Sequence, residues 1–426
     1  MHRRNAYRIY LMLMTALSVG SALYGTITAA YRVEAAHLDP LQLVLVGTVL
    51  EAAYFVANVP SGVVADVYSR RLSVVIGMVL FGAGFILEGA IARFETILLA
   101  QVIWGTGASF VDGAMEAWIA GEIGDERVSQ AFLRGSQVGA AGGIVGALAS
   151  VLIASIPGVD LGLPMMLGGA LYLALAGVAA LVMPEEGFRP VPRAERSNGW
   201  VEMARALRQG GKVVRGSPLL LTILSIAFFA GMASEGFDRL WGAHLLLDIH
   251  LPRLGQFDPV VWFGVITVGA ELLGIAATEL VRRFVATDSH AAAARALFAI
   301  NTLMVVGVIT FGLAGGFPLA LGAYWAVSVL RGLETPIYTA WLTQRIEPRV
   351  RATVLSMSGQ LNALGQVAGG PFIGLLGTLR SLRTALVVAG IALAPALPLV
   401  ALARRQGGAS EAPVAVVGEA APPAAS

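Results

Sequence analysis

The chain is built from long apolar runs separated by short polar breaks. A helix that crosses a membrane needs about 20 predominantly apolar residues. Runs of that order lie at residues 8–30, 41–65, 72–92, 96–120, 134–156, 163–183, 218–246, 259–281, 294–315, 317–343, 351–377 and 382–403. This pattern predicts an all-α membrane protein of twelve transmembrane helices. The longest break divides the runs six and six, so the expected organisation is an N-terminal six-helix bundle (1–183), a linker (184–217) and a C-terminal six-helix bundle (218–405). A tail rich in Ala, Pro and Gly (406–426) is expected to be disordered and dispensable.

An internal repeat supports the division into two pseudo-symmetric halves. Ala117-Trp118 recurs as Ala340-Trp341, and the same displacement pairs Ile123 with Ile346, Gln137 with Gln360 and Gly142 with Gly365. Glu279, Arg282 and Arg283 at the end of the eighth span loosely echo Asp66, Arg70 and Arg71 at the end of the second. Two related six-helix halves are what alternating access by rocking requires. In the linker, Trp200, Met203, Leu207 and Val214 fall near one helical face, with Arg205, Arg208, Lys212 and Arg215 largely opposite. That reads as an amphipathic helix lying on an anionic leaflet, with a solvated linker of some helical content as the plainer alternative.

Composition narrows the class. With 57% apolar and 13% charged residues and a mean hydropathy of +0.75, the chain cannot present a water-soluble surface. The absence of Cys removes disulfides, thiolate metal sites and cysteine nucleophiles. His2, His37, His244, His250 and His290 form no ligand pair at helical i, i+4 spacing, so neither a metal nor another cofactor is expected. There is no phosphate-cradling glycine loop and no appended soluble domain, which leaves an enzyme or a sensor with little support and nucleic acid with no place as a partner. The basic start, Met1 to Arg8, leads into the first run without a cleavage signature, so the first helix is the expected insertion signal.

Placing both termini in the cytoplasm puts the large majority of the 29 Arg and Lys residues in or beside cytoplasmic loops. Lys212 is the single Lys and Ala and Gly are abundant, which reads as a GC-rich bacterial genome and hence a bacterial plasma membrane. The expected partners are the lipid bilayer, a small-molecule substrate and protons, with the protein a monomer.

Charges within spans normally face the bundle interior or a wet cavity. On the fourth span, read as one continuous helix, Gln101, Gly105, Ser109, Asp112 and Glu116 fall within about 80°. Two carboxylates one turn apart rarely both ionise, which suits a proton site; the alternative pairs Glu116 with a loop arginine and leaves only Asp112 deep. On the tenth span Tyr324, Ser328, Arg331, Thr335 and Tyr338 share a face. Glu334 borders that face and is the leading candidate for proton coupling, against a static pair with Arg331. Glu235 and Arg239 are i, i+4 partners toward the outer half of the seventh span, an arrangement suited to an outer gate or vestibule. The second span carries Gly47, Glu51, Tyr54, Asn58 and Gly62 on one face; the eighth carries Gly264, Thr267, Glu271, Gly274 and Thr278. The proton-coupling candidates are therefore Glu334, Asp112, Glu116 and Glu235, and the cavity candidates are Glu51, Tyr54, Asn58, Glu271, Arg331, Tyr338 and Arg239. Glu88 reads as snorkelling from the outer end of the third span.

The stretch Asn58 to Arg71 forces the chain to leave the bilayer and re-enter at once. Gly62 is expected at a close helix approach, and Asp66 with Arg70 and Arg71 makes a compact charged turn. The spacing Gly62, Asp66, Arg70, Arg71 resembles the signature loop between the second and third helices of the major facilitator superfamily of secondary transporters. Two positions depart from it: Val67 where the family usually has arginine, and Ser69 where it usually has glycine. The resemblance implies a cytoplasmic loop that stabilises one alternating-access state, with Gly62, Asp66, Arg70 and Arg71 as its conformational gate. Gly135, Gly139, Gly142, Gly143 and Gly146 resemble the glycine-rich motif of the drug antiporters, without its usual proline, and Gln101 stands at the key basic position of their fourth-helix motif. Leu41-Gln-Leu-Val-Leu-Val-Gly-Thr, Ala117-Trp118-Ile119 and the segment Glu235 to Trp241 are similar to the macrolide and tetracycline efflux branch. That branch implies export of apolar or cationic drugs in exchange for protons. The alternative is proton-coupled transport of a metabolite such as a sugar, peptide or siderophore, with Arg331 and Arg239 binding an anionic group.

Overall fold

The computed structural model describes residues 2–189, 208, 211, 214, 216–253, 259–284, 289–344 and 348–409. Among them every regular element is helical. Twelve helical units follow one another: α1 (Asn5–Ala35), α2 (Pro40–Tyr68), α3 (Arg70–Ala90), α4 (Phe94–Ile123), α5 (Glu126–Ala154), α6 (Gly162–Val182), α7 (Pro218–Ile249), α8 (Val261–Phe284), α9 (His290–Gly312), α10 (Phe317–Thr343), α11 (Pro348–Leu379) and α12 (Leu382–Gln406). Ten are long and apolar enough to cross a membrane. The other two, α10 and α11, run 27 and 32 residues. At 1.5 Å per residue both have ample length. Most of the linker with its expected amphipathic face, the side chains of Arg282 and Arg283, and the tail from 410 lie outside the described residues; Val214 is buried against the second bundle.

Local chemistry sets several helix starts. Asp39 and Gln42 form a reciprocal capping box ahead of Pro40 in α2, at 2.9 and 3.0 Å. Ser69, Ser217, Ser289 and Ser381 cap α3, α7, α9 and α12. The fourth span is not the continuous helix its hydropathy suggests. Gly113 has φ +75°, and the helix breaks at Asp112–Gly113 before resuming at Ala114.

Each bundle is held by the same contact, made twice. In the first, Gly142 and Gly146 of α5 bring their Cα atoms against the backbone carbonyls of Thr15 and Val19 in α1. In the second, Gly365 of α11 meets the Phe228 carbonyl of α7, and Gly369 meets Met232. A side chain at any of these positions would collide with the partner helix, so glycine is required for the approach. The C-terminal ends of α1 and α7 also correspond, both finishing in a widened π-helical turn. Tyr31 there donates to the Glu88 carbonyl at 2.5 Å, and His244 Nε2 meets the Phe311 carbonyl at 3.1 Å.

The bundles meet at the end opposite the Val64–Tyr68 turn. Leu41 N donates to Thr378 Oγ1 at 3.0 Å, and Thr378 Oγ1 to Asp39 at 3.2 Å. Gly374 and Gly377 of α11 pack on Pro40, Leu41 and Val44, Gly242 of α7 on Ala29, and Gly264 of α8 on Val151 of α5. Toward the turn the same faces come apart. On α2, Gly47 is buried, Glu51 and Tyr54 are half-buried and Asn58 is exposed; on α8, the sequence Gly264, Thr267, Glu271 runs from buried through half-buried to exposed. Since residues seven apart share a helix face, this gradient describes a crevice between the bundles, closed at one end and open at the turn. Because the chain has no cysteine, Leu41→Cys with Thr378→Cys is a clean probe of the closure. A short bifunctional thiol reagent is expected to keep the two bundles joined on a denaturing gel after a protease site introduced into the linker is cut. Full separation of the halves would contradict it.

Candidate functional site in the crevice

The closed end of the crevice is organised around α7. Glu235 is 1% exposed and accepts from Arg239 Nε at 3.1 Å. Gly47 of α2 lies directly against this pair, and a Cβ there would run into both the Glu235 carboxylate and the Arg239 guanidinium. Gly370 of α11 covers the other side of Glu235, where an added Cβ would come within 2.9 Å of the Glu235 Cγ. The pair therefore sits where α2, α7 and α11 converge. One residue earlier on the helix than Arg239, Asp238 faces α10 and takes the guanidinium of Arg331. That guanidinium also lies 5.3 Å from the centre of the Phe237 ring, within cation–π range.

This arrangement answers the question of what Arg331 holds: its partner comes from α7, three residues beyond Glu235, and not from Glu334 one turn along its own helix. Glu334 has no hydrogen bond or ion pair among the described residues, and feels Arg331 only through space. It lines a cavity of about 250 Å³ in the second bundle together with Ser234, Asp238, Thr335 and Asn362. Glu51, one turn beyond Gly47, is likewise unpaired and lies within the field of Arg239 and Asp238. Asp112 accepts from the Tyr54 hydroxyl at 3.0 Å, linking α4 to α2. Glu271 is exposed on the α8 face that carries Gly264.

Other expected site residues are used differently. Glu116 is turned to its own helix, where it accepts from Gly113 N at 2.9 Å and closes the break in α4, so the single polar stripe expected through Asp112 and Glu116 is interrupted there. Tyr338 donates to the Ile223 carbonyl at 3.1 Å and meets Ser358 at 3.0 Å, tying α10 to α7 and α11. Gly62 is exposed and a Cβ there would meet nothing within 4 Å among the described residues, so no close helix approach there depends on it. Asn58 and Asp66 are also exposed.

The turn after α2 is anchored within its own bundle. Ser69 Oγ contacts both Glu185 oxygens at 2.8 Å, and the same carboxylate accepts from Arg71 N at 3.1 Å. Arg71 reaches the Met183 carbonyl at 3.2 Å, and Arg70 reaches the Ala117 carbonyl at 2.7 Å. Ser69, the departure from the usual glycine, is thus the residue that both caps α3 and fastens the turn to the segment following α6.

The sequence reading missed one centre altogether. Glu88 is 0% exposed and does not reach for water. Its carboxylate accepts from Tyr24 Oη at 2.6 Å, from Arg32 Nε at 2.8 Å and from Gln101 Nε2 at 2.6 Å. A carboxylate near a helix end resembles a snorkelling side chain when viewed alone. The available signal was its coincidence with Arg32, a second charge just past the end of the first apolar run, and with Gln101, a polar residue within the fourth.

A family model described as Major Facilitator Superfamily matches residues 9–288. An uncharacterized MFS-type transporter, YxaM of Bacillus subtilis (strain 168), is 23% identical over 360 residues, covering 83% of this chain and 85% of that protein. Among solved structures, a bacterial homolog of the human lysosomal transporter Spinster, in an inward-facing and unoccupied conformation, superposes with a TM-score of 0.74 at 15% identity, covering 96% of this chain and 99% of the other. The nucleoside transporter NupG gives 0.71 at 14% identity, covering 94% and 99%.

The buried Glu235–Arg239 pair makes a testable energetic claim. Removing one partner of a buried pair strands the other charge, at about 3–5 kcal/mol, whereas replacing both by apolar groups is often close to neutral. Glu235→Leu is expected to lower stability by about 3 kcal/mol, given the partial exposure of Arg239. Glu235→Leu combined with Arg239→Met should recover most of that loss in thermal melts of the purified protein. Equal melting of the single variant and wild type would show that the pair bears no such strain.

Proposed function

Because the chain belongs to the Major Facilitator Superfamily and is a multi-pass membrane transporter, we propose that it moves amphiphilic cations by alternating access in exchange for protons. One observation carries this reading. The three arginines described along the crevice are already taken by carboxylates, Arg32 by Glu88, Arg239 by Glu235 and Arg331 by Asp238. Glu51 lies in the field of Arg239 and Asp238, Glu334 lines the second-bundle cavity that also holds Asp238 and Arg331, and neither these two nor Asp112 and Glu271 have an ion-pair partner among the described residues. The crevice therefore has negative charge to spare and no uncommitted guanidinium for an anionic solute.

An unpaired carboxylate at the edge of an apolar space is stabilised either by a cation or by a proton. Binding of one displaces the other, and that competition couples the two flows. A ligand shifts the equilibrium between conformations only by its difference in affinity for them. Protonation of Glu334 or Asp112 changes that difference by removing the charge on which the cation depends. The crevice is open at the end bearing the Val64–Tyr68 turn. By the distribution of Arg and Lys that end faces the cytoplasm of a bacterial cell, so this is the state that loads from inside. The likeness to a homolog described as inward-facing supports the same orientation. Transport of a metabolite is the second reading, and the NupG likeness is compatible with an uncharged one.

Proteoliposomes with an imposed pH gradient test coupling and ligand class together. Wild-type protein is expected to accumulate a cation such as ethidium against its gradient and to move protons when it is added. Glu334→Gln should reduce gradient-driven accumulation at least about tenfold, the equivalent of 1.4 kcal/mol. Asp112→Asn should do the same to a smaller extent. Vesicles that move neither cation nor proton, in cells whose growth depends on the transporter for one solute, would replace this reading with metabolite transport.

A further inference from the structure

Charge is distributed unevenly along the crevice. At its closed end lies a cavity of about 200 Å³ whose walls include Tyr24, Arg32 and Trp104 from the first bundle and Asp238, Arg239 and Trp241 from the second. Every charge on this list has a partner: Arg32 has Glu88, Arg239 has Glu235 and Asp238 has Arg331. The unpaired acids lie nearer the open end. A neutral, aromatic-walled chamber thus sits above a mouth with negative charge to spare.

The first-bundle wall of that chamber is held from behind by one residue. Glu88 takes the Tyr24 hydroxyl and Arg32 Nε directly. It also takes Gln101 Nε2, while Gln101 Oε1 accepts from Trp104 Nε1 at 3.0 Å. Tyr24 is stacked on Phe85 at 3.8 Å between ring centres, which fixes its plane. Arg32 completes the ring by donating from Nη2 to Tyr24 Oη at 3.1 Å. A guanidinium has five N–H donors. Arg32 and Arg239 each keep N–H groups with no acceptor among the described residues while lining the chamber.

We propose that the chamber is a binding subsite for an uncharged, planar part of the substrate that carries hydrogen-bond acceptors, and that Glu88 is the positioning residue for its first-bundle wall. The ring stacks against Trp104 and Trp241, and acceptor oxygens meet the spare N–H groups of Arg32 and Arg239. The cationic group points toward the open end and the unpaired acids. This inference rests on the reading of the protein as a cation carrier and adds to it the orientation of the bound molecule.

Two probes separate the claims. Rhodamine 6G is a cation whose pendant ethoxycarbonylphenyl group is an uncharged planar ring with ester acceptors, set apart from the charged xanthene; tetraphenylphosphonium is a cation whose rings carry no acceptor. Calorimetric titration of the purified full chain is expected to show both binding to wild type. Glu88→Gln and Trp104→Leu should weaken rhodamine 6G about tenfold and tetraphenylphosphonium less than about twofold, while Glu334→Gln weakens both. Tyr24→Phe, which keeps the ring and the Arg32–Glu88 pair, should weaken rhodamine 6G in the same selective way, and it decides the matter if Glu88→Gln fails to fold. Equal weakening of both probes, or of neither, by the chamber variants would overturn the subsite and leave the carrier reading intact. Failure of wild type to bind either probe would overturn both.

Discussion

A charge carried into an apolar bundle is tolerated only where a partner or water reaches it, and this constraint arranges the interior of the protein. Three guanidiniums are buried or half-buried across the middle and closed end of the crevice, and each is met by a carboxylate from a different turn or a different helix: Arg32 by Glu88, Arg239 by Glu235, Arg331 by Asp238. The pairs fix the relative rotation of α1 on α3 and of α7 on α10. Once they are made, Glu51, Asp112, Glu271 and Glu334 have no ion-pair partner among the described residues, and those acids give the crevice its character.

The pairs can form only because the backbones around them come close. Gly47 and Gly370 leave room for the Glu235–Arg239 pair, and the glycines of α5 and α11 bring those helices against the carbonyls of α1 and α7. The same geometry occurs in both bundles, as expected if each is a copy of one packing solution. Between the bundles the glycine contacts are concentrated at one end. The closed end is therefore a packed interface of small residues, and the open end is where the same helix faces carry Glu51, Tyr54, Asn58 and Glu271 instead. Closing the open end means burying those polar groups, and their charge state sets how unfavourable that is.

Within this frame the turn after α2 has a local role. Glu185 and Ser69 hold it to the segment after α6, and Arg70 holds it to α4. Among the described residues its side-chain bonds are all to its own bundle.

Run length and charge were sufficient in the amino-acid sequence to specify twelve helices, their division six and six and the repeat that relates the halves, because each of these follows from local hydropathy and from residue identity at a fixed displacement. The sequence also marked the acids in the spans, since a carboxylate in an apolar run is visible without any knowledge of its neighbours. Which carboxylate meets which arginine was not visible. Spacing along one helix offered Glu334 as a partner for Arg331, whereas the fold supplied Asp238 from another helix; Glu88 looked peripheral until α1, α3 and α4 enclosed it. The break at Gly113 redirected Glu116 for a similar reason, because helical periodicity assumes a continuity that one positive φ removes. Tertiary structure decided these matters because ion pairing depends on distance through space, and helices far apart in the chain become neighbours only when the bundle closes.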